Sequence, residues 1–307
     1  MQFIKQDINF DFIGKARTAG ILSVILILVS AGSMILKGGP KYGIDFAGGT
    51  LVQVQFKDLT DAAKIRTTIE GLDLTSASVQ PFGEKKNNEY LISISKTVDD
   101  LQGLSGRIKR LFDEAFGPEN FEIRRVEMVG PKVGKDLRKK GFLAVLCSLL
   151  GMLVYIWWRF EFKFGIGAIL ALTHDVIITL GALSLTNRAI DLPIIAAILT
   201  VVGYSVNDTI IVSDRIRENR RRMVREKLAK IINTSINHTL SRTIITSLTT
   251  LLVVIALFFF GGGVIHDFAF TLMIGVVVGT YSSVFIASPV LILWEKIARD
   301  NKPQGKK

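Results

Sequence analysis

Cysteine is nearly missing from this chain of 307 residues: Cys147 is the only one, and it lies in an apolar run. A single thiol excludes an intrachain disulfide, a CxxC redox pair and a cysteine-rich metal site. Its surroundings predict a small buried apolar residue. Polar stretches are scarce too, since 49% of residues are hydrophobic and the mean hydropathy is +0.40. Much of such a chain is unsuited to water, so the membrane class comes first. Acids are outnumbered by bases, 27 to 38, giving a net charge of +11. The surplus sits beside apolar runs, where the positive-inside rule accounts for it; lipid is an expected partner and nucleic acid is not.

A spanning helix needs about 20 apolar residues, and six runs qualify: 19–36, 142–158, 164–185, 190–213, 235–260 and 268–294. An even count puts both termini on one side. Basic residues mark that side as cytoplasmic: Lys15 and Arg17 in the segment 1–18, Arg159 and Lys163, the basic loop 214–234, and the tail 295–307. The short opposite loops carry only Arg188 and Asp267 between the span ends. The first run exceeds the 7–15 residues of a signal-peptide core and reads as an uncleaved anchor. Trp157, Trp158 and Trp294 fall at predicted cytoplasmic boundaries.

The remaining stretch, 37–140, reads as an exported domain, because long domains translocate largely regardless of charge. Its periodicity alternates between two and 3.6 in the order βαββαβ. Thr60 or Asp61 can cap the first helix, and "DDLQGLSGRIKRLFDEAF" reads as a second, capped one. That order predicts an α+β ferredoxin-like domain between spans one and two of a polytopic α-helical membrane protein. The domain has no histidine cluster, nucleophile–base pair or phosphate loop, so binding is expected of it and catalysis is not. Its "FAGGT" is a turn signal.

Ionisable residues inside spans cost a few kcal/mol or more and need a partner or a wet cavity. Span three carries His174 and Asp175, span four Asn207 and Asp208, span five His238 and Arg242. Thr200, Tyr204, Asn207, Asp208, Ile211 and Arg215 are read as one stripe, and Ser235, Thr239, Arg242, Thr246 and Thr249 as a second. Gly275, Gly279, Ser283 and Ala287 form a small-residue ridge for close helix packing, and a candidate face for a partner. At 1.5 Å per residue, Asp208 lies about 8 Å and Arg242 roughly 10 Å from the cytoplasmic surface, so the two can pair. Asp175 lies about 8 Å deeper than Asp208, too far for an aspartyl-protease dyad, and is a second relay candidate. His174 points about 100° away from Asp175, so no handover between them is implied, and His238 reads as interfacial. An Asp–Arg pair of this kind either fixes helix register or loads and discharges a proton.

Five motifs resemble the SecD/SecF protein-export family of the resistance-nodulation-division superfamily: "GIDFAGGT" at 43–50, "VGPKVG" at 129–134, "THDVIITLG" at 173–181, "VVGYSVNDTIIVSDRIREN" at 201–219 and "SINHTLSRTIITSLTTLL" at 235–252. The resemblance implies the smaller, six-span member, in the bacterial cytoplasmic membrane, paired with SecD. It also implies SecYEG, YajC and unfolded preprotein as partners, and the proton-motive force as energy source in place of a cofactor. By that resemblance proton passage falls on Asp208, next to Asn207 in the "ND" motif, and on Arg242, while Asp175 stays the second relay candidate; Gly43, Asp45, Gly48 and Gly49 carry the motif of the substrate domain. Ser213 replaces a common aromatic and His238 a common glutamine. Two readings compete: an efflux half-transporter, which needs larger exported domains, and a passive scaffold.

Overall fold

The structure, a computed structural model, describes residues 9–70, 77–82, 87–94 and 101–300. The start of the N-terminal segment (1–8), the end of the basic tail (301–307), and Asp99 and Asp100 at the head of the second domain helix lie outside them.

In chain order the elements are α1 (Ala16–Leu36), α2 (Ile44–Ala47), β1 (Gly49–Phe56), α3 (Ala62–Glu70), β2 (Ala77–Phe82), β3 (Glu89–Ile94), α4 (Leu101–Phe116) and β4 (Phe121–Val129). There follow α5 (Pro131–Arg159), α6 (Phe162–Leu185), α7 (Leu192–Arg222), α8 (Leu228–Phe260), α9 (Gly262–Ser282), a π-helical turn (Ser283–Ala287) and α10 (Ser288–Asp300). Among the described residues six helical spans are long and apolar enough to cross a membrane, the sixth running through α9, the π turn and α10. Apolar side chains without water leave the backbone no partner but itself, which is why these runs are helical.

Several boundaries differ from the sequence reading. The sheet ends at Val129 and α5 starts at once with Pro131 in its first turn, so 131–140 is helix and not domain. The loop read as 214–234 shrinks to 223–227, because Arg and Glu favour helix and Arg220, Arg221 and Arg222 suit the negative end of α7. Span four starts at Leu192, with Asp191 capping it by accepting the Ile194 N–H at 3.0 Å. Cys147 faces outward from α5 and is not buried.

The α+β domain has strand order β2-β3-β1-β4, with each neighbouring pair antiparallel. Val52, Val54 and Ile92 of the sheet meet Ile65 and Ile69 of α3 and Ile108 and Phe112 of α4, all buried. Pro81 sits on the edge strand β2, where its missing N–H costs least. Asp61 caps α3 through the Ala63 N–H.

The first and last strands are neighbours, so the domain enters and leaves the membrane side at one point, where two of the sequence motifs interlock. Gly48 has φ +77 and lies so close to Pro131 that a Cβ would come within 3.0 Å of its Cα. A Cβ on Gly134 would lie 3.0 Å from the Gly48 nitrogen. The loop between α6 and α7 completes the joint: the Gly43 N–H donates to the Ile190 carbonyl and the Ile190 N–H to the Lys41 carbonyl, both at 2.7 Å. Asp45 accepts the Leu192 N–H at 3.0 Å.

Within the bundle, glycines allow α9 to lie against α7. A Cβ on Gly275 would fall 2.0 Å from Val201, and one on Gly279 2.9 Å from Ser205. The ridge read as a candidate partner face is therefore filled by this chain's own α7. α1 packs on α6 through Ser30, which leaves no room for a Cβ on Gly181, and through the Ser33–Ser184 hydroxyl pair at 2.8 Å.

Candidate functional site

Asp208 is 5% exposed and is held between three helices. Thr243 of α8 donates to its Oδ1 at 2.6 Å, and Ser283, the first residue of the π turn, donates to its Oδ2 at 2.5 Å. All its described bonds come from hydroxyls. A buried carboxylate left in that state requires either a proton or a cation from outside the chain to offset its charge.

Arg242 does not meet it. The residue stands outward on α8, one position before Thr243, and forms no ion pair among the described residues. Asn207 also faces outward. One residue on a helix is a turn of about 100°, so Asn207 and Asp208 occupy different faces and the single stripe read from the sequence divides. Asn207 and Arg242 instead line a polar recess of about 790 Å³ with Arg159, Asp214, Arg217 and His238. Of the hydroxyl ladder on α8, Thr246 and Thr249 donate to carbonyls of their own helix; the α8 hydroxyl that reaches Asp208 is Thr243, one residue off the ladder.

Asp175 is 1% exposed and His174 4%. Contrary to the expectation from helix phase, the two bond directly, His174 Nδ1 to Asp175 Oδ1 at 2.9 Å. Ser205 of α7 and Ser282 of α9 donate to Asp175 Oδ2 at 2.6 and 2.8 Å. The adjacent serines Ser282 and Ser283 thus serve different carboxylates, Asp175 and Asp208. Adjacent residues on a helix point about 100° apart, which sends the two hydroxyls to different carboxylates; a π turn begins at Ser283, and Ser288 donates to the Ser283 carbonyl at 2.9 Å.

Sequence reasoning missed Thr243, Ser205, Ser282, Ser23 and Tyr281. The serine doublet inside an apolar span, and Ser23, Ser30 and Ser33 within the apolar run 19–36, were the available signals. Gly43, Asp45, Gly48 and Gly49 lie at the base of the α+β domain, where Asp45 and Asp191 both accept N–H groups at the start of α7. Burial pushes the Asp191 carboxyl up to about 6, with the Ile194 N–H opposing the rise and the Asp45 charge adding to it. Arg188 and Asp267, the two charges of the short loops, pair with each other, and Arg188 lies 4.3 Å over the Phe270 ring.

Six spans, an α+β domain on one short stem, and two buried carboxylates bonded by hydroxyls define a polytopic membrane protein with an ionisable centre inside its helix bundle. Residues 108–297 match the family described as protein export membrane protein SecD/SecF, C-terminal, and residues 34–58 match the SecD/SecF GG motif. The chain belongs to the SecD/SecF family of protein-export membrane proteins. It is 47% identical over 302 residues to the protein translocase subunit SecF of Calditerrivibrio nitroreducens, covering 97% of this chain and 98% of that one. It is 49% identical to the SecF subunit of Magnetococcus marinus, covering 97% and 96%. The crystal structure of SecDF from Thermus thermophilus, titled a translocon-associated membrane protein, is similar with a TM-score of 0.85 and 37% identity, over 96% of this chain and 40% of that one. The chain thus spans two fifths of that longer chain. Against SecDF in its super-membrane-facing form the TM-score is 0.70.

Proposed function

We propose that this chain is the SecF subunit of the Sec protein translocase. With SecD it uses the proton-motive force to promote preprotein translocation across the bacterial cytoplasmic membrane after SecA has begun insertion. It performs no enzymatic step. The names of its relatives support the translocase role, and the longer SecDF chain supports a six-span SecD partner. SecYEG, YajC and unfolded preprotein complete the partners in this reading. The α+β domain is ferredoxin-like and exported, with both termini in the cytoplasm; its strand order and the basic cytoplasmic ends support that assignment.

The observation that carries the mechanism is Asp208, buried and, among the described residues, bonded by the hydroxyls of Thr243 and Ser283, with Arg242 adjacent in sequence to one of its donors. A rotation of α8 by about 100° exchanges Thr243 for Arg242 at the carboxylate. In one state a proton neutralises Asp208; in the other the guanidinium does. A charge crossing the membrane is worth about 2.3 kcal/mol per 100 mV, enough to shift a two-state equilibrium more than tenfold. Arg242, Asn207 and Thr249 face outward and are unsuited to lipid, so we assign this face of α7 and α8 to SecD.

The test is preprotein translocation into vesicles containing SecD, with and without a proton gradient. Asp208→Asn and Arg242→Ala are expected to abolish the gradient-stimulated part and leave the ATP-driven part. Retention of the stimulated part in both variants contradicts the reading and favours a passive scaffold.

A further inference from the structure

A second chain of polar contacts, buried at His174 and half-buried at Tyr281, leads from Asp175 to α1. It runs from Asp175 Oδ1 to His174 Nδ1 at 2.9 Å, and from His174 Nε2 to Ser23 Oγ at 3.2 Å. It continues from Ser23 Oγ to the Tyr281 hydroxyl at 3.0 Å, and from that hydroxyl to the Ala19 carbonyl at 2.6 Å. The other carboxylate oxygen is already occupied by Ser205 and Ser282. The His174–Asp175 and His174–Ser23 contacts are buried, with Ser23 3% exposed, while Tyr281 and Ala19 are half-buried.

Four contacts require four hydrogens. Ser23 and Tyr281 bring one each, and a neutral imidazole brings one. With three, one contact sets two lone pairs against each other. If the imidazole hydrogen is on Nδ1, Ser23 donates to Nε2 and Tyr281 donates to the carbonyl, leaving nothing between Ser23 and Tyr281. If the hydrogen is on Nε2, the bare Nδ1 faces an ionised carboxylate. A fourth hydrogen satisfies every link: Nδ1–H or the acid O–H joins His174 to Asp175, Nε2–H donates to Ser23, Ser23 to Tyr281, and Tyr281 to Ala19. The pair is then neutral overall, whichever partner holds the proton, which suits its burial.

We propose that His174 and Asp175 jointly hold one exchangeable proton, that this load is coupled to the load of Asp208 through Ser282 and Ser283, and that Ser23 reports it to α1. The coupling lies in the alternative acceptors of the two serines. Ser282 reaches the Gly279 carbonyl at 3.1 Å and Ser283 the Thr280 carbonyl at 3.0 Å, so each hydroxyl can leave its carboxylate when that carboxylate is protonated. Ser282 ends α9 and Ser283 begins the π turn, so the two are adjacent in the chain and moving one strains the other. Among the described residues, Tyr281 of α9 is the titratable group bonded into this chain of contacts, Asp208 of α7 is reached through the neighbouring serines Ser282 and Ser283, and α1 contributes the Ser23 hydroxyl and the Ala19 carbonyl. α1 runs directly into the segment that docks the α+β domain, which makes Ser23 the point where a proton event reaches that domain. His174 shares the proton with Asp175, and Ser23 is a positioning residue in this scheme. Only the coupling to Asp208 rests on the function proposed above.

The test is spectroscopic and uses the full chain in lipid nanodiscs. Histidine labelled with ¹⁵N reports His174, assigned by loss of its signal in His174→Gln, or in the double variant His238→Gln and His266→Gln if that protein does not fold. Infrared absorption of a protonated carboxyl, assigned by its loss in Asp175→Asn, reports the acid. At pH 7 either an imidazolium or a protonated Asp175 is expected, and Asp208→Asn is expected to move the deprotonation midpoint by about 0.5 pH unit or more, roughly a threefold change in proton affinity. A neutral imidazole beside an ionised Asp175 overturns the proton count. An unchanged midpoint in Asp208→Asn overturns the coupling. If Asp208→Asn leaves gradient-driven translocation intact, the proposed function fails, while these spectra still decide the proton count independently.

Discussion

At the scale of single residues, the chemistry rests on which hydroxyl meets which carboxylate. Removing the donor to Asp208 Oδ2 by Ser283→Ala leaves a buried acceptor unsatisfied, a loss of about 1–3 kcal/mol. A fall in melting temperature at neutral pH is expected in thermal unfolding, together with weaker gradient stimulation. Thr243→Val, which keeps shape and removes the hydroxyl, is expected to do the same to Oδ1. An unchanged melting temperature in both variants contradicts the hydrogen-bond assignment. Asp208, Asp175 and Arg242 were legible in the sequence because charge inside an apolar run is conspicuous. Their partners were not, because depth along a helix axis says nothing of azimuth. One residue, about 100°, separates Arg242, facing out, from Thr243, facing Asp208. Likewise, a histidine next to an aspartate can bend its ring back to meet it, which the Cβ directions alone do not anticipate.

At the scale of elements, two devices hold the site in place. The first is the close approach of α9 to α7 at Gly275 and Gly279, which sets Ser282 and Ser283 at the right depth. Gly275→Leu collides with Val201 and is expected to destabilise by about 1–3 kcal/mol, visible as a lower denaturation midpoint. The second is the doubly capped start of α7, where Asp191 and Asp45 share the helix N-terminus. Asp191 rises from an ordinary 3.8 to about 6 on burial. A raised acid binds more protons folded than unfolded, so stability is highest below about 4 and falls as pH climbs towards 6, by up to about 3 kcal/mol. Asp191→Asn keeps the cap and removes the titration. The melting temperature of wild type relative to Asp191→Asn is therefore expected to fall between pH 4 and 6.5, and a constant difference contradicts this. The motif "GIDFAGGT" drew attention in the sequence as a turn, but its role as a joint was hidden. Its contacts, Pro131, Gly134 and Ile190, lie more than 80 residues away.

At the scale of the whole molecule, six spans and the order of the α+β elements were legible because apolar length and periodicity are local properties. What was hidden is how the spans share their surfaces. The small-residue ridge of the sixth span is consumed within the chain. The most apolar stretch of α8, by contrast, is only 11% buried, and Arg242, also on α8, faces outward. A single chain therefore exposes the charge that its buried carboxylate lacks, and the two are reconciled when α8 turns or a partner covers that face. The central claim is that Asp208 carries the protons that power movement. Its most direct test is proton flux into vesicles containing the chain and its six-span partner, followed with an internal pH-sensitive dye while preprotein is translocated. The account predicts that wild type shows influx tied to translocation and that Asp208→Asn abolishes it while the complex still assembles. Influx of wild-type size in Asp208→Asn would contradict it.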